Sequence, residues 1–196
     1  MADRLITKEQ CSAATDQELV AQTIADKHAF AAIVLRYQAP LLRYIIRLGC
    51  KDSCAAEDLL QEIFIKIYIH LNEYDPFLQF SSWIYRIAHN EVITHFRKEK
   101  HRPSVLPKDE LLILFENLSD DADLIVQDGV KHTPTELQCA LDQLEPKYRD
   151  VVVLKFFEEK SYEEISDILL IPQGTVATLL NRAKKKIKIA LETSCQ

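Results

Sequence analysis

The side chains in this sequence that could do chemistry are suited to recognition rather than to making bonds. Thr175, Thr178, Asn181 and Arg182 recur at the spacing that places residues on one side of a helix. Arg and Asn match the donor and acceptor edges of bases, and Thr reaches either bases or phosphates. Arg182, Lys184, Lys185, Lys186 and Lys188 add a cationic run that could neutralise phosphates. The same charges also suit a solvated helix C-terminus. A second set, Phe80, Trp83 and Tyr85 with Arg86, Arg97, Lys98, Lys100 and Arg102, interleaves rings with cations. Single-stranded DNA binds such surfaces by stacking bases on rings and setting phosphates against cations. Trp83 is also spaced from Ile87 as a core residue would be. A third set, Asp58, Gln61 and Glu62, lies at i, i+3 and i+4. That face is either a dock for a basic helix or simply solvated.

Bond-making chemistry has no support. There is no nucleophile–base pair, glycine-rich phosphate loop or paired metal motif, so the sequence does not read as an enzyme. The five cysteines, Cys11, Cys50, Cys54, Cys139 and Cys195, are odd in number and lack paired spacing, which predicts free thiols. His89, His95 and His101 share no ligand spacing, so neither a metal nor a cofactor is expected.

The elements that must position these residues read as helices throughout. Three glycines and seven prolines are too few for a loop-rich β protein, and the 47% hydrophobic content can fill a core. The fold class is therefore all-α, with two helical domains joined by an acidic linker. Periodicity predicts helices from Asp16 onward, with Asp16 and Asp26 as N-caps and a kink or break at Pro40. Further helices are predicted over about 53–72 and 80–100. After an acidic stretch with a helical piece near 111–115, four more follow at about 134–144, 147–158, 162–169 and 173–192. Thr133-Pro134 reads as a cap followed by N1 proline, and Ser161 with Glu164 as a capping box. Tyr162, Ile165, Ile168 and Leu169 make one apolar face; Val176, Leu180, Ala183 and Ile187 make the face that would pack on it. Together they form a helix-turn-helix, whose second helix enters the major groove. The domain expectation is a tail over 1–15, a first domain over 16–103, a linker over 104–132 and a second domain over 133–192. No apolar run approaches the roughly 20 residues of a membrane span, and the N-terminus lacks a secretory apolar core. A cytoplasmic protein without membrane insertion is expected.

With these motifs in order, the sequence resembles the extracytoplasmic-function (ECF) sigma factors of bacterial RNA polymerase, in the sigma-70 family. "EDLLQEIFIKIY" is similar to the polymerase-binding segment of region two, "FSSWIYRIAHN" to the segment that opens the minus-ten element, and "SYEEISDILLIPQGTV" to region four, which reads the minus-thirty-five element. The resemblance implies that Asp58, Gln61 and Glu62 grip the clamp helices of the polymerase's largest subunit, with region four at the flap. It implies that Arg86 and Asn90 sit at the strand-opening site, to which the ring-and-cation reading adds Phe80, Trp83, Tyr85 and Arg97. It implies that the loop before Phe80 pockets a flipped base and that Thr178 and Arg182 meet the upstream element, to which the reading of the outward face and the basic run adds Thr175, Asn181 and Lys185. Core polymerase and promoter DNA are the implied partners, with an anti-sigma protein as a further one. By its composition the linker reads as a solvated tether; the resemblance implies a segment threading toward the polymerase active-site cleft, where its acidity would mimic nucleic acid in a basic channel. The chain departs from the family pattern at Leu170, where glycine is frequent in the turn, and at Ala177 and Leu179, where polar or basic residues are common. Ser81 stands for a frequent arginine and Thr94 for a frequent aspartate. The competing reading is a stand-alone helix-turn-helix regulator with an N-terminal dimerisation or sensing domain, binding a palindromic operator without polymerase.

Overall fold

The computed structural model describes residues 14–99 and 140–194, and no strand occurs among them. The predicted linker, the N-terminal tail and most of the 134–144 helix, with its Thr133-Pro134 start, lie outside the described residues. Helix α1 spans Asp16–Ala25. Its cap is Thr15, not Asp16, because Thr15 and Glu18 form a reciprocal capping box. Asp16 is thereby placed inside the first turn, where its carboxylate accepts from Arg36 at 2.6 Å and from the Tyr37 hydroxyl at 2.5 Å. Asp26 does cap, closing the 3-10 turn Lys27–Ala29 through the His28 N–H.

Helix α2, Phe30–Arg47, runs through Pro40 as one element, so of the expected kink or break the break does not occur. Tyr37, Leu41, Tyr44 and Ile45, on either side of the proline, are all buried. Their burial outweighs the roughly 3 kcal/mol that an interior proline costs. Residues Lys27–Arg47 are long and apolar enough by composition to cross a membrane, at mean hydropathy 1.2. Here that apolar surface is the centre of a helical core: Ala32, Ile33, Leu41, Tyr44 and Ile45 have no exposed surface. Helix α3, Ser53–His70, is capped by Asp52 and ends in a 3-10 turn at Leu71–Glu73. Helix α4 is Phe80–Glu99. Helices α1–α4 form the first lobe.

In the second lobe, α5 covers Pro146–Val152, and the chain then widens into a π-helical segment, Val153–Phe157. The uniform helix predicted to 158 is thus replaced by a wider turn. Helices α6, Tyr162–Leu169, and α7, Gln173–Ser194, follow. The lobes are not separate bodies in this conformation. Helix α6 packs along α4, and the buried apolar residues of both lobes form one continuous cluster. Gly49, at φ +114°, lies where the lobes meet; a Cβ there would fall 2.7 Å from Arg149 Nη1. Of the cysteines among the described residues, Cys50 is buried and Cys54 exposed.

Candidate nucleic-acid interface

The helix-turn-helix is built by local rules. Ser161 Oγ accepts from the Glu164 N–H at 3.1 Å, and Glu164 returns the bond to the Ser161 N–H at 2.8 Å. Burial pushes the Glu164 carboxyl up, but the Ser161 N–H and Lys160 outweigh it and hold the group below the ordinary glutamate value. Helix α6 stops at Leu170, which adopts the left-handed conformation, φ 54° and ψ 44°. The turn therefore keeps the geometry a glycine would allow, at a cost of about 1–2 kcal/mol for a residue with a Cβ. Ser166 stabilises the turn by donating to the Ile171 carbonyl at 2.6 Å.

Val176, Leu180, Ala183 and Ile187 of α7 are buried, as their spacing predicted. Thr175, Thr178, Asn181, Arg182 and Lys185 are all exposed. The structure thus brings the five predicted base- and phosphate-contacting residues to the solvent side of one helix. Leu179 packs against the core and Ala177 is half-buried, so neither is a simple apolar replacement on the open face. Part of the basic run is also structural: Lys186 pairs with Glu145 at 3.2 Å, and Lys184 lies 5.3 Å from the Phe156 ring.

On α3, Asp58, Gln61 and Glu62 are exposed while Leu59, Ile63 and Ile67 point into the core. The exposed stripe continues into Ile65 and Ile69.

The α4 set divides. Phe80 is buried, packed edge-on against Tyr37 and Tyr74 and stacked on Trp83 at 5.7 Å. Trp83 is half-buried against the same core. These rings support the fold, which corrects the expectation of a ring array open to bases. Tyr85 is buried too, with its hydroxyl donating to Glu158 of the second lobe at 2.5 Å. Arg86 is half-buried, and Asn90 and Arg97 are exposed. Thr94 donates to its own helix at the Asn90 carbonyl. The ring that does reach solvent is Phe77, 98% exposed in the loop before α4, where Asp75 holds its N–H at 3.0 Å. Sequence reading named that loop but not this residue; an aromatic beside Asp-Pro turn chemistry was the available signal.

A junction between the lobes went unread altogether. Arg47 Nη1 donates to Glu158 Oε1 at 3.2 Å, and both side chains are only 4% exposed. The Arg47 guanidinium also lies 4.4 Å over the Phe157 ring. Lys160 donates to Ser81 Oγ at 3.0 Å, and Arg149 donates to the Leu48 carbonyl at 2.9 Å. Lys51 pairs with Asp142. His89 Nε2 lies 3.8 Å from Asp150, while its Nδ1 faces the Tyr44 hydroxyl at 3.2 Å. Burial pushes His89 down to about 4 and Asp150 up to about 7. Burial also raises Glu158, opposed by the Tyr85 hydroxyl and by Arg47. The signals were an arginine closing the apolar run "YIIR" at the end of α2 and the acids of "FFEEK", but pairing so distant in sequence leaves no periodic trace.

The arrangement defines a class: a two-lobed helical protein with a helix-turn-helix on one lobe and an acidic helix face on the other. Residues 33–102 match the family described as Sigma-70 region 2, and residues 135–187 the one described as Sigma-70, region 4. The chain is 34% identical over 170 residues to the ECF RNA polymerase sigma factor SigW of Bacillus subtilis, covering 83% of this chain and 89% of that one. It is 32% identical over 196 residues to the RNA polymerase sigma-H factor of Pseudomonas aeruginosa, covering 96% and 97%. Among solved structures, CnrH in complex with the cytosolic domain of CnrY shares the fold with a TM-score of 0.69 at 21% identity, covering 91% of this chain and 97% of that one. The sigma factor RpoE, in complex with the anti-sigma factor NepR from Bartonella quintana, shares it with a TM-score of 0.63 at 20% identity, covering 83% and 96%. The chain belongs to the ECF sigma factors of the sigma-70 family. It is an alternative sigma factor directing transcription initiation, and the stand-alone regulator reading is not favoured.

Proposed function

We propose that this sigma factor divides its work between its lobes, as the expected boundaries 16–103 and 133–192 describe. The α3 face of Asp58, Gln61 and Glu62 docks on the clamp helices of core RNA polymerase, where rim charges orient the encounter. Region four sits at the flap and lays α7 in the major groove of the minus-thirty-five element. There Asn181 and Arg182 meet base edges, and Thr175, Thr178 and Lys185 meet bases or phosphates. Arg86, Asn90 and Arg97 of α4 face the minus-ten strand, with the exposed Phe77 ring as a stacking surface for an unpaired base. Capturing that base offsets the few kcal/mol that unstacking costs. The protein makes no bond itself; the polymerase supplies the chemistry, in the cytoplasm. An anti-sigma protein is a further proposed partner.

The observation that carries this reading is the separation of faces on α7: a buried apolar stripe, and an exposed side holding the recognition residues together. Run-off transcription with purified core polymerase on genomic DNA tests it. Defined transcripts that require this chain are expected. Failure to associate with core polymerase, with unaided occupancy of a symmetric site, would overturn it.

A further inference from the structure

Thr178 lies on the exposed side of α7, yet its hydroxyl is already engaged. Oγ1 donates to the Gly174 carbonyl, four residues back, at 2.8 Å. A threonine hydroxyl has one proton to give, and here the helix backbone receives it. The bond also selects one of the two χ1 settings open to a helical threonine. The branch left to meet a partner is therefore the methyl group, with Oγ1 beside it able only to accept. Thr23 makes the same kind of bond to the Leu19 carbonyl at 2.7 Å, but it is buried inside the first lobe. Thr178 faces solvent. Gly174 is exposed as well, and a Cβ there would meet nothing within 4 Å. The surface beside the bond is open to an approaching base edge.

The four bases answer such a surface differently. In the major groove guanine offers two acceptors, N7 and O6, which need donors. Thr178 can supply none without giving up the Gly174 bond. Adenine and cytosine each carry an amino group that could donate to Oγ1. Thymine carries a methyl group, and the threonine methyl is its apolar match. We propose that Thr178 is a specificity-determining residue that selects thymine by methyl–methyl contact, its hydroxyl serving to anchor that methyl rather than to read bases. Guanine is the base most strongly rejected at that position. Asn181 and Arg182 lie three and four residues on, along the same exposed side. Their amide and guanidinium suit adenine and guanine edges. One helical turn advances about 5.4 Å, so the selected thymine falls within about two base pairs of the purine that this pair reads. This deepens the sigma-factor reading and rests on its placement of α7 in the major groove.

The test presents the full-length chain, bound to core polymerase, with a duplex library randomised over the upstream element, and reads the captured sequences. Uracil then replaces each preferred thymine in turn, which removes the methyl group and leaves the rest of the base edge unchanged. Uracil at one position is expected to weaken wild-type binding about fourfold, the scale of burying one methyl group. Thr178→Ser keeps the hydroxyl and lacks the methyl, so it should bind the thymine and uracil duplexes alike. Thr178→Val keeps a methyl and lacks the hydroxyl, so it should retain the uracil penalty. Circular dichroism checks the fold; should Thr178→Val not fold, Thr178→Ser decides alone. A wild-type protein indifferent to uracil at every position overturns the proposal. So does a Thr178→Ser protein that keeps the penalty, or a folded Thr178→Val protein that loses it. Wild-type run-off activity with core polymerase is measured alongside: its absence sinks the sigma-factor reading, whereas its presence without a uracil effect sinks only this inference.

Discussion

Phe80 and Trp83 stack at 5.7 Å with their planes 21° apart, while Phe77, three residues before Phe80, is 98% exposed. One phenylalanine is part of the core and the other is open to solvent. Phe80→Ala is expected to cost about 3–5 kcal/mol, the range for truncating a buried aromatic residue, read by urea denaturation. Phe77→Ala should change stability by less than about 0.5 kcal/mol. It should weaken open-complex formation by about five- to a hundredfold, the range of one base–ring stack, read by permanganate footprinting with core polymerase. The reverse pattern would place the base-stacking ring at Phe80.

Leu170 has a left-handed backbone and a side chain 69% exposed, so little packing is lost by removing it. Leu170→Gly is expected to stabilise the second lobe by about 1 kcal/mol through relief of strain. That corresponds to about 2–4 °C in thermal midpoint for a chain of this size. An unchanged or lower midpoint in a calorimetric scan would show that the turn carries no such strain.

His89 and Asp150 predict a pH dependence with opposing signs. His89 has a folded value near 4, below its ordinary 6.5. The unfolded chain binds that proton first, so stability falls as pH drops from 6.5 towards 4. Asp150 has a folded value near 7, above its ordinary 3.8, so its contribution is lost as pH rises from 3.8 towards 7. The slopes, about 1.4 kcal/mol per pH unit each, nearly cancel between the two. Tyr44, whose hydroxyl faces His89, is pushed well above the ordinary tyrosine value by burial, and the Arg149 charge works against the rise at Asp150. Asp150→Asn should expose the histidine slope, with stability falling as pH drops below 6.5. His89→Gln should expose the opposite slope, with stability rising as pH drops below 7. Urea titrations across that range check both; matching profiles for the two variants would contradict the assignment.

The net charge of -6 opposes long-range attraction to DNA. The isolated chain is expected to give a weak band shift, or none, on promoter duplex at physiological salt, and a clear one with core polymerase. Within that complex, Lys185→Ala should lower the salt slope of binding by about one and affect all promoters alike. Arg182→Ala should cost about 1–3 kcal/mol and relax preference at one base position. A strong, salt-resistant shift by the chain alone would argue against this balance.

The positions where sequence reading succeeded and failed share a physical pattern. The buried and open faces of α7 and the Ser161–Glu164 cap were legible because helical period and capping act within a few residues. The faces of α3 were legible for the same reason. Phe80 and Phe77 could not be sorted by composition, because both lie at or just before the start of α4 and only tertiary packing decides which ring turns inward. Thr15 displaced Asp16 as a cap because a box at that position needs the glutamate three residues on. Pro40 was overridden by the burial of its neighbours. The Arg47–Glu158 pair joins residues 111 apart in the chain, and no local rule specifies a partner at that distance.

Gly49 gives the inter-lobe joint its clearance. The Arg149 guanidinium beside it holds the Leu48 carbonyl of one lobe and the Leu141, Asp142 and Leu144 carbonyls of the other, so it works as a rivet through both plates. Even a single methyl group at position 49 would press on the rivet head, and the local backbone suits only glycine. The joint's tolerance is thus set by one missing carbon atom: a bulkier residue there would act as a shim between the plates.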